Sequence, residues 1–195
     1  MIRLRGRRRD EPRGQALIEL SMVLMVLLML TLGTIEFGFA FDHHLTLEYA
    51  TREGARTGAA LSNGDGDSAV CATIDAQIVA AVQRVIQSPG SAVDAADVPE
   101  IRIFRSGADG QELGAANRWT YSAGAGPMVD GTRIDYVSAA TPWPPCSRVS
   151  GPVPDSVGVS LTYTYRFQTP LSALIGFATI PMGDRTVMPL SPTDH

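Results

Sequence analysis

The sequence predicts an α+β protein: a long N-terminal membrane-spanning helix continuing into an exported domain with a second helix and a small, mainly antiparallel sheet. Three observations lead there. Residues 14–41, GQALIELSMVLMVLLMLTLGTIEFGFAF, are apolar enough to enter a bilayer, and no charge falls between Leu20 and Ile35. Residues 70–86 repeat apolar side chains every three to four positions, the spacing of an amphipathic helix. Residues 157–167 alternate apolar and polar with a period of two, the spacing of a strand with one buried face.

The chain starts with a basic leader, residues 1–14, in which six of the 16 basic residues stand against Asp10 and Glu11. All basic residues are arginine. Ten arginines against eighteen acids remain beyond it, so the net charge of -4 hides a split between a positive leader and a negative remainder. A basic stretch directly before an apolar span follows the positive-inside bias and gives no reason to invoke nucleic acid. The expected topology is single-pass, with the N-terminus inside and the domain exported across the cytoplasmic membrane of a bacterium.

Residues 15–41 are the expected transmembrane helix. As a helix, residues 14–41 reach roughly 40 Å, more than the ~30 Å hydrocarbon core. A signal peptide would be shorter and end at a small-x-small cleavage site, which the bulky, polar Phe41-Asp42-His43-His44 does not provide. Residues 42–60 lack proline, and Glu48 and Arg52 are spaced four apart in the favourable order, so the helix is expected to continue to about Ala60. Gly54 and Gly58 each cost about 1 kcal/mol against alanine in a helix, which points to close packing on their face, against the chain's own sheet or another subunit. Residues 62–67 read as a polar turn. Asn63, Asp65 and Asp67 alternate like calcium-loop ligands, but Ser68 and Ile74 stand where the glycine and the glutamate are needed.

Residues 61–195 form the expected exported domain. Ser68 is the expected cap of the second helix, which carries Val70, Ile74, Ile78, Val82, Val85 and Ile86 and ends near Gln87, before Pro89-Gly90. Strands are expected at residues 100–106, 118–121, 132–138, 157–167 and 185–188, with a turn-rich connection over 107–117 and a helical turn near residues 170–177. Cys71 and Cys146 both lie in the part expected outside the cytoplasm, where an even count favours a disulfide. That bond would close a loop of about 75 residues, for which chain entropy gives ~4 kcal/mol.

The catalytic search yields no candidate. The sequence contains no nucleophile elbow, phosphate loop or dinucleotide fingerprint. Adjacent His43 and His44 point about 100° apart on a helix, which is no metal pair, and interfacial solvation is their expected role. His195 is terminal. The expectation is a protein without catalytic residues, metal, cofactor or small-molecule substrate.

Two carboxylates break the apolar helix, and a charge in mid-bilayer costs ~3 kcal/mol. Glu36 lies about 33 Å along the axis from Gly14, close to the outer boundary, where water or a partner can meet it. Glu19 opens the apolar run, fifth after Gly14. The order of basic leader, Gly14, Gln15, three more residues, Glu19 and apolar helix resembles the type IV prepilin processing pattern. RGQALIEL, the span ending in IEFGFAF, and YATREGARTGAA together resemble the N-terminal module of TadE/TadG-like proteins, minor pseudopilins of tight-adherence (Flp-type) pilus systems. The resemblance covers about residues 13–60. Leu20 stands where Flp-type major pilins usually have tyrosine, and the chain is far longer than a major pilin.

The resemblance implies a membrane partner, other pilin or pseudopilin subunits, and a prepilin peptidase that would cut between Gly14 and Gln15. It also implies that Glu19 meets the N-terminal amine of a neighbouring subunit. The motif admits both a cut chain and an uncut anchor. A membrane-anchored exported binding domain that never joins a filament is the alternative from a different class.

Overall fold

A computed structural model of the chain describes residues 13–191. Most of the basic leader and His195 lie outside the described residues. Helix α1 runs without interruption over Arg13–Leu61, 49 residues, or about 73 Å at the helical rise. It is one element and not an anchor joined to a separate helix, because no proline or glycine pair interrupts its backbone ladder. The helix stops where Ser62 turns to a positive φ of 54° while its amide still donates to the Gly58 carbonyl (3.0 Å).

The second helix differs from the expectation at its start. Asp67, not Ser68, is the cap, accepting from the amides of Ala69 (2.8 Å) and Val70 (3.4 Å). The short α2 (Ser68–Cys71) is separated from α3 (Ile74–Ile86) by Ala72 and Thr73. At this break the Thr73 amide and hydroxyl both donate to the Val70 carbonyl, closing a turn tighter than an α-helix. Val70 therefore falls off the buried stripe and is exposed, whereas Ile74, Ile78, Val82 and Ile86 are buried.

The sheet has five strands: β1 (Glu100–Ser106), β2 (Glu112–Tyr121), β5 (Tyr136–Ala140), β6 (Ser156–Arg166) and β7 (Thr179–Pro189). Their order is β5-β2-β1-β6-β7, and every neighbouring pair is antiparallel. A separate two-stranded ribbon pairs β3 (Met128–Val129) with β4 (Thr132–Arg133), so the strand expected over 132–138 is two strands. A five-residue helix, α4 (Leu171–Ile175), interrupts the link from β6 to β7.

Helices α1 and α3 cover one face of the sheet, and the core lies between. Val157, Val159, Leu161, Tyr163 and Tyr165 of β6 point into that core as the alternation requires. The opposite face carries charge: Arg102 pairs with Glu112 (2.7 Å) and Arg118 with Glu100 (2.6 Å). Here Phe104 lies across Gly158, where a Cβ would sit 2.2 Å from the ring, so only glycine fits beneath it.

Strand β6 runs back along α1. Val157 faces Gly58, Val159 faces Gly54, Tyr163 and Tyr165 face His43, and Tyr165 and Gln168 meet Glu36. The lengths agree. Gly58 to Glu36 is about 33 Å of helix, and Val157 to Gln168 is about 36 Å of strand.

Candidate functional site

The site is the long face of α1, which divides into a bare segment and a covered one. Through residues 14–31 all side chains are exposed, with none of this stretch packed on the domain. Its hydroxyls are satisfied by the helix itself: Ser21 donates to the Ile18 carbonyl (2.8 Å) and Thr31 to that of Leu27 (2.8 Å). Glu19 has no such recourse. It is exposed and makes no hydrogen bond or ion pair among the described residues. Gly14 and Gln15 are exposed beside it, and a Cβ on Gly14 would meet nothing within 4 Å.

The covered segment begins at Glu36. Its carboxylate is buried and accepts the Tyr165 hydroxyl, the Gln168 amide (2.9 Å) and the Thr169 amide (2.8 Å). Of the two alternatives for Glu36, water or a partner, the carboxylate is met within the chain itself, because the segment that follows β6 folds down over the helix at this level. Two turns further on, His43 is also buried rather than solvated. Its Nδ1–H donates to the Phe39 carbonyl (2.7 Å), and its ring lies edge-on to Tyr165 (5.0 Å) and tilted to Tyr163 (5.7 Å). Burial, with the bond to Glu36 second, pushes the Tyr165 phenol well above its usual range. Burial, then the negative Asp97, pushes Tyr163 up to about 12.

Gly54 and Gly58 face the chain's own domain. A Cβ on Gly54 would sit 2.6 Å from Val82 and 3.3 Å from Val159, and one on Gly58 2.9 Å from Ile78 and 3.3 Å from Val157. Between them and Glu36, Thr51 donates to Asp184 of β7 and lies 3.0 Å from the Thr186 hydroxyl. The salt bridges of this segment, Arg52 with Glu48 and Arg56 with Glu53 (3.9 Å), stay on the outer face.

At the far end Cys71 is bonded to Cys146, with Cα atoms 5.1 Å apart. Beside the bridge, Asp75 pairs with the buried Arg148 (2.5 Å) and accepts from Asn117 (2.6 Å). Asn117 in turn holds both backbone groups of Trp143, donating to its carbonyl (2.7 Å) and accepting from its amide (2.8 Å). The Arg148 guanidinium stacks 4.4 Å from the Trp143 ring centroid. The sequence pattern marked none of Asp75, Asn117, Arg148 and Asp184, and it placed Tyr165 only on the apolar face of a strand. A polar residue inside an apolar stripe, as Asp75 is in α3, was the one available signal. Among the described residues no group of three or more His, Cys, Asp or Glu is placed to hold a metal. An open groove between α3 and the β3–β4 ribbon is crossed by Arg84 and Asp130 (3.8 Å), and its Gln83 and Gln87 are both engaged by Asp135 of the same domain.

These features define a candidate membrane anchor carrying an α+β domain clamped to the second half of the same helix. Residues 14–56 match the family model described as TadE-like protein, 43 of the 195 residues, so the chain carries a TadE-like module on α1. The match includes Gly14, Glu19, Glu36 and Gly54 and supports a component associated with a tight-adherence pilus system. No curated protein and no solved structure matches the chain.

Proposed function

We propose that the protein is a minor pseudopilin of a tight-adherence pilus or secretion apparatus, anchored once in the bacterial cytoplasmic membrane with its N-terminus inside and its α+β domain exported. The observation that carries this reading is the contrast between the two helix carboxylates within the matched module. Glu36 is saturated by the chain's own domain, whereas Glu19, fifth after Gly14, has no partner among the described residues and stands on a bare apolar helix.

Cleavage after Gly14 removes the basic leader and frees an amine on Gln15. The Glu19 carboxylate of one subunit then meets the amine of its neighbour, and the low dielectric of the bilayer strengthens the pair and offsets the burial of both charges. Glu19 thereby sets axial register. Because α1 is continuous into the clamped domain, that register also fixes the position of the domain. The role is structural and calls on no catalytic residue, cofactor or metal.

The test is the N-terminal residue of protein recovered from membranes after co-expression with the matching prepilin peptidase. Gln15 is the expected first residue, and Gly14→Ala should prevent its appearance. An intact Met1 in the mature protein overturns processing. Recovery without any pilin or pseudopilin subunit favours an anchored binding domain that stays outside the filament.

A further inference from the structure

The link from β6 to β7, with the start of β7, is the longest uncharged stretch of the domain. From Phe167 to Gly183, FQTPLSALIGFATIPMG, no residue is charged. Leu174 is 67% exposed and Phe177 53% exposed. Gly176, at a φ of 83°, ends α4 and turns the chain so that Phe177 returns edge-on to Phe167, centroids 5.6 Å apart. The charges resume immediately above this tip, where Arg166 pairs with Asp97 (3.1 Å).

The height of the tip on α1 is fixed by Glu36, which binds the amides of Gln168 and Thr169 directly before α4. A hydrocarbon layer of ~30 Å takes about 20 helical residues, so a layer starting between Leu17 and Leu20 ends between Phe37 and Ala40. The uncharged tip therefore lies at the level where the helix leaves the hydrocarbon. At that same level the helix exposes Phe37 and Phe41, stacked 6.2 Å apart.

We propose that residues 167–178 are a membrane foot: the tip sits in the outer interfacial layer, with Leu174 and Phe177 inserted among lipids beside Phe37 and Phe41. The partner is the lipid surface itself. Phe and Leu side chains at this depth bury their apolar surface at the boundary between headgroups and acyl chains. The foot adds a second point of contact to the single helix, and two contacts at one level fix how the domain tilts over the bilayer. This inference rests on α1 spanning the membrane.

The test uses the full chain in phosphatidylethanolamine/phosphatidylglycerol nanodiscs, with single spin labels at Leu174→Cys, Phe177→Cys, Val26→Cys or Val153→Cys. Cys71 and Cys146 are already bonded, so the introduced thiol is the one labelled. Val26 reports the span, and Val153, at 84% exposure, reports the remote surface of the domain. The expected result is loss of relaxation by a water-soluble nickel chelate, with relaxation by oxygen retained, at Val26, Leu174 and Phe177 but not Val153. Nickel relaxation at Leu174 and Phe177 equal to that at Val153, with Val26 protected, overturns the foot and leaves the anchor standing. Nickel access at Val26 as well overturns both. Protection at Leu174 that disappears when each nanodisc holds a single chain overturns the foot in favour of a contact between copies.

Discussion

Glu36 and Tyr165 are hydrogen-bonded across 129 residues of sequence, and with the Gln168 and Thr169 amides they close the domain onto the helix. Without this contact the domain would still be held to α1 by His43 against Tyr163, by the buried Leu47 and Ala50, by the Thr51–Asp184 bond and by the glycine face, all further along the helix. Hydrogen bonds to a charged group contribute about 1.5–3 kcal/mol each. Tyr165→Phe should therefore destabilise the domain by about 1.5–3 kcal/mol, because the carboxylate keeps its two amide donors. Glu36→Ala should cost more, since it strands all three donors, and Glu36→Gln should fall between as it retains one acceptor. Denaturant unfolding in detergent checks the order; midpoints equal to that of the unsubstituted chain in all three variants would mean that the clamp contributes nothing.

The two glycines of α1 make a sharper comparison. Alanine gains about 1 kcal/mol of helix propensity at either position. At Gly58 the new Cβ would meet the Cδ1 end of Ile78, which can rotate away, so Gly58→Ala should be close to neutral. At Gly54 it would meet Cγ2 of Val82 at 2.6 Å, a β-branched side chain with little freedom in a helix. Overpacking costs about 1–3 kcal/mol, enough to exceed the propensity gain. Gly54→Ala should lower the thermal midpoint while Gly58→Ala leaves it nearly unchanged, and the reverse order would contradict the packing described.

Local pattern made much of this fold legible, and its long-range contacts were not. The end of α1, the polar turn over 62–67 and the one-sided strand β6 follow from composition and period. Strand β2 begins at Glu112, where Glu112 and Leu113 pair with Ser106 and Arg105, but Gly114, at a φ of 76°, and the two alanines after it, all of poor strand propensity, bulge out before pairing resumes at Asn117. Strand β7 takes in Pro181 and Gly183, which argue against a strand by themselves. It lies at the edge of the sheet, where a missing amide donor is tolerated. In the site, Gly14 and Glu19 were legible because their spacing is local. The partners of Glu36 were not, since 129 to 133 residues separate them from it.

The polar cluster beside the disulfide should behave as a unit. Arg148 is buried, and removing one member of a buried ion pair costs about 3–5 kcal/mol. Arg148→Ala leaves Asp75 without its cation and should destabilise by that amount. A double variant, Asp75→Asn with Arg148→Met, removes both charges, keeps an acceptor for Asn117 and restores the volume over Trp143. It should recover most of the loss. Equilibrium unfolding with the disulfide intact checks this, and a double variant as unstable as Arg148→Ala would show that the charge itself is not the cause.

Glu19 allows fold and function to be separated. Its side chain has no partner among the described residues, so Glu19→Ala should leave the thermal stability of the solubilised chain within about 0.5 kcal/mol, as for a surface change. Membrane insertion should also survive, since the substitution removes a charge from the apolar helix. If the carboxylate meets the amine of a neighbouring subunit, incorporation with partner subunits should nevertheless fall sharply. Glu19→Gln should fail similarly, because it keeps the shape and loses the charge. Co-purification of each variant with the pilin subunits, measured beside its unfolding curve, makes the separation visible. Incorporation that stays unchanged in Glu19→Ala would remove the register role and leave the helix as an anchor alone.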